Sequence, residues 1–188
     1  MKRIVIFASG SGSNAENIYH YFDKSKVEIT GFLSNNKKAK VLERAKQLQI
    51  NSAVFNKTEF LDESFLDHPL LKEVDLIVLA GFLWKVPEYL IAAFPNKIVN
   101  IHPALLPKYG GKGMYGMHVH NAVVENKESE TGITIHYVNE NYDEGAIIFQ
   151  ARTPVLKTDT PKDVVAKIHK LEFEHFPKII EKVLFTND

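Results

Sequence analysis

The sequence predicts an α/β fold: a mostly parallel sheet with helices on both faces and an antiparallel C-terminal strand pair. Three observations carry this. Through His102, short β-branched runs alternate with stretches of helical spacing, the pattern of a parallel sheet. The first run ends in a glycine-rich turn, SGSGSN. After Pro103 the alternation gives way to two apolar runs joined by NENYDEG, a connection that suits antiparallel pairing.

In order along the chain, RIVIFA (3–8) is a β-branched run that stops at glycines. SNAENIYHYF (13–22) puts Ile18, Tyr19 and Phe22 on one side of a helix. VEITGFLSN (27–35) reads as a strand, AKVLERAKQL (39–48) as an amphipathic helix and SAVF (52–55) as a third strand. Residues 58–72 are expected to be helical. VDLIVLAGF (74–82) is the most hydrophobic strand and is expected at the centre of the sheet. PEYLIAAF (87–94) reads as a helix with Pro87 at its first position, where a missing N–H costs little. KIVNIH (97–102) is the fifth strand.

Beyond it, LLPKYGGKGMYG is a glycine-rich loop and GMHVHNAVVEN (116–126) a helix. TGITIHYV (131–138) and AIIFQARTPV (146–155) form the antiparallel pair. TPKDVVAKIHKLEFEHFPKIIEKVL (160–184) is a long closing helix, with Thr160 as cap, Pro161 at N1 and Asp163 at N3. Pro177 lies inside that pattern and is expected to kink or divide it. No internal repeat or linker interrupts the 188 residues, which are enough for one domain with a substantial core.

Composition narrows the function. Lysine plus arginine equals aspartate plus glutamate at 23 each, so a broad nucleic-acid footprint is not expected. Anion binding then falls to local devices such as helix N-termini. The absence of cysteine excludes disulfides and thiolate metal sites. The apolar run in MKRIVIFASG is too short for a signal-peptide core, and no run approaches the roughly 18 apolar residues of a membrane span. A cytoplasmic protein without a membrane partner is expected.

GSGSNA (10–15) fits G-x-G-x-x-A, a dinucleotide fingerprint. That fingerprint also needs an acid near the end of the second strand, about 20 residues on. Here the strand ends FLSNNKK, so neither NAD nor flavin is expected, and the ATP loop G-x-x-x-x-G-K-[ST] does not fit. Glycines still let backbone N–H groups approach an anion, and a helix beginning near Ser13 adds its positive end. Ser13 and Asn14 can donate as well. The turn therefore suits a phosphomonoester; the alternative is a tight strand–helix connection with Ser13 as a cap.

In NIHPALLPKYGG (100–111), strand alternation sets Asn100 and His102 side by side, and Pro103 biases His102 toward extended backbone. Alternation in TGITIHYV places Gly132, Thr134 and His136 on one face. Asp143, in the loop that follows, can reach back to orient an imidazole and favour its charged form. An amide, an imidazolium and a carboxylate suit acyl transfer to an amine through a tetrahedral intermediate. No G-x-S-x-G elbow appears, and none is required when the acceptor is itself the nucleophile. A structural His–Asp pair, with Asn100 capping a strand end, is the alternative. His118 and His120 are two apart and diverge on a helix, so no metal is expected there. His120 is expected at the surface, with His118 approaching the site.

These stretches together resemble the folate-dependent formyltransferases, over essentially the whole chain. The marks are GSGSN (10–14), LAGF (79–82), NIHPALLPKY (100–109), TGITIHYV (131–138) and YDEGAIIFQ (142–150). The phosphate turn narrows the resemblance to the phosphoribosylglycinamide formyltransferase branch of purine synthesis. The resemblance implies formyl transfer from 10-formyltetrahydrofolate, a cosubstrate, to the amine of glycinamide ribonucleotide, with no metal or NAD and no nucleic acid. It implies that Asn100, His102 and Asp143 are catalytic and that Gly12, Ser13 and Asn14 hold the phosphate. Glu172 falls near the ribose. The folate pocket falls on Leu83, Trp84, Lys85 and Val86, on Asn139, Glu140, Asn141, Tyr142 and Asp143, and on Asn100. The fold so implied is a mononucleotide-binding (Rossmann-like) sheet, in one domain over 1–188: 1–102 as the phosphate-binding half, 103–188 completing the folate site. The oligomeric state is left open.

Two features depart from the family pattern. Trp84 stands where the family often has arginine, and 57–66 contains no arginine for the folate tail, leaving Lys57 or Lys85 as substitutes. The loop KYGGKGMYGMHVH is also longer and richer in glycine than usual, as suits a mobile cover. Methionyl-tRNA formyltransferase, 10-formyltetrahydrofolate hydrolase and a non-catalytic nucleotide-binding module are the rival readings.

Overall fold

β1 (Lys2–Phe7) buries Ile4 and Ile6 on one face and Val5 and Phe7 on the other, all fully, so the sheet needs cover on both sides. The computed structural model, which describes residues 1–22, 24 and 26–186, supplies it. β1, β2 (Val27–Ser34), β3 (Ser52–Val54), β4 (Leu76–Leu79) and β5 (Ile98–His102) run parallel; β6 (Glu130–Tyr137) and β7 (Ile147–Pro154) add antiparallel. The order is β3-β2-β1-β4-β5-β6-β7, which puts β4 in the middle, as its apolar run predicts.

One face packs beneath α1 (Ser13–Tyr21), α2 (Lys40–Leu48), α5 (Met117–Glu125) and α6 (Pro161–Phe185), through Ile18, Val41, Val123, Ile168 and Phe176. The other lies beneath α3 (Lys57–Leu61), two short 3-10 turns and α4 (Glu88–Ala93), around an aromatic group of Phe7, Phe55, Phe60, Phe65 and Phe82. Trp84 joins that group, with its ring 6.0 Å from those of Phe55 and Phe60.

The expected α/β architecture is borne out, with four local corrections. Residues 58–72 are not one helix: Asn56 caps α3, but Asp62 then caps a 3-10 turn at Glu63–Asp67 and His68 caps another at Pro69–Leu71. Local capping competes with helix continuation there. Strand pairing in β4 covers only Leu76–Leu79, because Gly81 adopts φ 75 and turns the chain. Pro87 is the cap of α4 rather than its first residue.

Pro177 does not divide α6, which runs on to Phe185. Proline deprives the carbonyl four residues back of its donor. That carbonyl, on Phe173, instead accepts from Asn17 Nδ2 at 3.0 Å. The start of α6 forms as expected: Thr160 and Asp163 make a reciprocal capping box, with proline in the first turn.

The β6–β7 connection is fixed by Gly145, where a Cβ would stand 1.7 Å from the carbonyl oxygen of Tyr137. Gly145→Ala is expected to lower the unfolding free energy by about 2–3 kcal/mol and to displace the Asp143 loop. Urea melts check the first effect; a variant as stable as the wild type would show that the turn yields freely.

Candidate active site

Strand order reverses between β1 and β4, and α/β proteins bind ligands outside the strand ends at such a point. A cleft of about 630 Å³ opens there. Ser9 to Asn14 after β1, Ala80 to Leu83 after β4, and Asn100 to Pro103 at the end of β5 line it. The glycine loop 111–116, Tyr142, Asp143, His120, His169 and Glu172 line it as well.

The turn after β1 is built for close approach. Gly12, at φ 72, is the cap of α1, and a Cβ there would lie 2.5 Å from Val41 Cγ2. Ser13 is the first helical residue and makes no side-chain cap bond, so the reading of Ser13 as a cap is corrected. The backbone oxygens of the turn are tied down from α2: Gly10 accepts from the Val41 N–H at 3.1 Å, and Ser11 from Arg44 Nε at 2.8 Å. Arg44 is paired with Glu16 and belongs to this scaffold. Asn14 Nδ2 donates to Glu172 Oε2 at 3.0 Å, joining the turn to α6. Burial pushes the Glu172 carboxyl up, against the hydrogen bond from Asn14 and the nearby His169.

The antiparallel register brings the polar group together. Asn100 pairs with His136, and His102 with Thr134. His136 Nδ1 donates to its neighbour's carbonyl, Tyr137, at 2.8 Å, so Nε2 accepts from Asn100 Nδ2 at 3.0 Å. Thr134 Oγ1 donates to the Ala104 carbonyl at 2.7 Å and accepts from the Leu106 N–H at 3.0 Å, fixing the turn after His102. The Leu106–Pro107 bond in that turn is cis.

Asp143 sits at φ 56 and accepts the Gly111 N–H at 2.9 Å through Oδ2. The same oxygen lies 3.5 Å from His102 Nδ1, and Oδ1 lies 3.7 Å from His136 Nε2. At 3.7 Å the second approach is too long for a hydrogen bond, and Nε2 is already taken by Asn100. Burial raises the Asp143 carboxyl, but His136, His102 and the Gly111 N–H outweigh it and hold the group below the usual carboxylate range.

His102 Nε2 meets the Tyr109 carbonyl at 2.7 Å, so both ring nitrogens face acceptors, a geometry that favours the cation. Burial opposes it and prevails over Asp143 and Tyr109, holding His102 below 6.5. Burial thus works against the imidazolium expected from the sequence.

Of the expected site residues, Gly12, Ser13, Asn14, Leu83, Asn100, His102, Tyr142, Asp143 and Glu172 all line the cleft. Trp84, Lys85, Val86, Asn139, Glu140 and Asn141 do not line it; Trp84 packs with the phenylalanines and Val86 is buried beneath them. His118 and His120 diverge as their spacing predicts, but with their places exchanged: His118 is exposed, and His120 is buried beside Val119 and Val123. Among the described residues no group of three or more metal-ligating side chains is assembled. His136, His169, Lys112 and the Tyr109 carbonyl stand outside the set singled out from the sequence. Only His136 carried a signal there, its place on the Thr134 face.

The formyl transferase family model matches residues 2–180. The chain is 39% identical to a chloroplastic phosphoribosylglycinamide formyltransferase of Arabidopsis thaliana, over 96% of this chain and 66% of that one. It thus spans just under two thirds of the plant relative. It is 35% identical to the phosphoribosylglycinamide formyltransferase of Bacillus subtilis, over 100% of this chain and 97% of the relative. The crystal structure of the protein of that name from Anaplasma phagocytophilum superposes with a TM-score of 0.87 at 33% identity, covering 97% of this chain and 87% of that one.

The buried His120 predicts a pH dependence. Burial first, then His169 and His102, holds its ring down at about 4, against 6.5 for an ordinary imidazole. Between those values the unfolded chain binds more protons than the fold, so stability is full above 6.5 and falls as pH drops toward 4. The loss approaches about 3 kcal/mol, and His120→Leu is expected to flatten the curve in that window. Denaturant melts across the range check this; equal slopes in both proteins would contradict it.

Proposed function

The chain belongs to the formyl transferase family, and from that premise we propose that it transfers a formyl group from 10-formyltetrahydrofolate to the amine of glycinamide ribonucleotide, a step of de novo purine biosynthesis. The observation that carries this is the sharing of one cleft by Asn100, His102 and Asp143 with the turn Gly10 to Asn14. An acceptor tethered by its phosphate at the turn then extends its amine toward the polar group. The reading treats 1–188 as one formyltransferase domain, cytoplasmic and acting on two small molecules.

The cleft suits the cosubstrate. Leu83 and Tyr142, 46% and 39% exposed, offer apolar flanks for a flat ring system. When bound, 10-formyltetrahydrofolate supplies an activated formyl carbonyl. Asn100, its amide oriented by His136, directs its free N–H to where negative charge grows on the formyl oxygen. His102, whose Nε2–H is held by the Tyr109 carbonyl, takes at Nδ1 the proton that the attacking amine releases. Asp143 stabilises the imidazolium so formed, and the proton passes on to the leaving nitrogen. No side-chain nucleophile is involved.

The test is absorbance-monitored consumption of 10-formyltetrahydrofolate with and without glycinamide ribonucleotide. Consumption only with the acceptor is expected; equal rates in both arms would indicate hydrolysis and overturn the reading. Asn100→Ala is expected to lower kcat about 10²-fold, as loss of an oxyanion donor does. Asp143→Asn should cost a similar factor of about 10² in kcat while leaving acceptor affinity within about threefold. Near-wild-type kcat in either variant would remove that residue from the chemistry.

A further inference from the structure

Two buried polar atoms of the cleft have no hydrogen-bond partner among the described residues: Asn14 Oδ1 and His120 Nδ1. Leaving such an atom unpaired costs about 1–3 kcal/mol, so a fold that keeps two of them beside an open cleft is shaped for a guest. Their surroundings say which guest. Asn14 Nδ2 is engaged by Glu172, so Oδ1 is left to accept only. A phosphate oxygen cannot satisfy an acceptor, whereas a hydroxyl can. His120 is 4% exposed, and the imidazoles that act on it are His169, beside Glu172 on α6, and His102 at the end of β5. His120, His169, Glu172 and His102 all line the cleft that an acceptor must span from the phosphate turn to the polar group.

We propose that His120 binds a ribose hydroxyl of the phosphorylated acceptor through Nδ1, completing with Asn14 and Glu172 a subsite that reads the sugar between phosphate and amine. This rests on the acceptor assignment above and adds a specificity residue to it. A neutral imidazole offers one N–H and one lone pair, and a hydroxyl can answer either. His120 is held for this by α5, whose buried stripe Val119, His120 and Val123 packs onto the sheet face shared with α6.

The test uses the full chain and His120→Leu, which keeps bulk and removes both ring nitrogens. Calorimetry measures the affinity of each protein for glycinamide ribonucleotide and for its 2′-deoxy and 3′-deoxy counterparts. In the wild type, removal of one particular hydroxyl should weaken binding about tenfold, and in His120→Leu that same removal should cost almost nothing. His120→Asn, which retains a polar group, should restore part of the discrimination. Unchanged 10-formyltetrahydrofolate affinity in the variants shows that the cleft is intact.

Equal hydroxyl discrimination in wild type and His120→Leu overturns the proposal, and so does a wild type indifferent to both hydroxyls. The readout is affinity, so it stands apart from turnover. A wild type that binds the sugar phosphate with this discrimination but never formylates it would sink the activity and leave the subsite. A wild type that binds no sugar phosphate sinks both.

Discussion

One carboxylate ties the site together. Asp143 accepts the Gly111 N–H, faces His102 at 3.5 Å and lies 3.7 Å from His136, so it joins the glycine loop, the end of β5 and the end of β6. Its backbone is left-handed at φ 56, which costs a non-glycine residue on the order of 1 kcal/mol. The Gly111 hydrogen bond and the facing His102 offset that. The same contacts keep the group ionised in spite of burial. A buried charge held in this way is useful only if something nearby becomes positive, and His102 is the group placed to do so.

The topology explains why the partners meet. A sheet that stayed parallel would carry its next strand away through a crossover. Turning antiparallel after β5 lays β6 beside it in a register that sets His136 directly opposite Asn100. Opposed residues on one face lie close enough for side-chain contact. The Asn100 amide is therefore oriented by a ring whose own tautomer is fixed by the Tyr137 carbonyl. Gly132 serves the same end from the other side: a Cβ there would stand 1.9 Å from the Ala151 carbonyl, so glycine lets β7 lie close.

Much of this was legible in the residues. The β-branched runs and glycine turn identify the parallel half, and two-residue alternation puts Asn100 with His102 and Thr134 with His136. What failed did so for local reasons. Residues 58–72 have helical composition, but Asp62 and His68 cap short turns that interrupt it. Pro177 reads as a breaker because a sequence does not display Asn17, a residue far away in the chain, supplying the missing donor. His118 and His120 were exchanged because nine residues of α5 contain too few turns to reveal which side is inward. The Tyr109 carbonyl that meets His102 is a backbone group and leaves no mark in residue identity.

The charge on His102 joins geometry to chemistry, since burial and Asp143 act on it in opposite directions. The most direct measurement is a 15N imidazole titration of His102 in the wild type and in Asp143→Asn. The account predicts a midpoint below 6.5 in the wild type and a lower one in the variant, where the supporting carboxylate is gone. A midpoint that stayed in place, or rose, would show that Asp143 does not stabilise the ring, and the coupling on which the site is built would be contradicted.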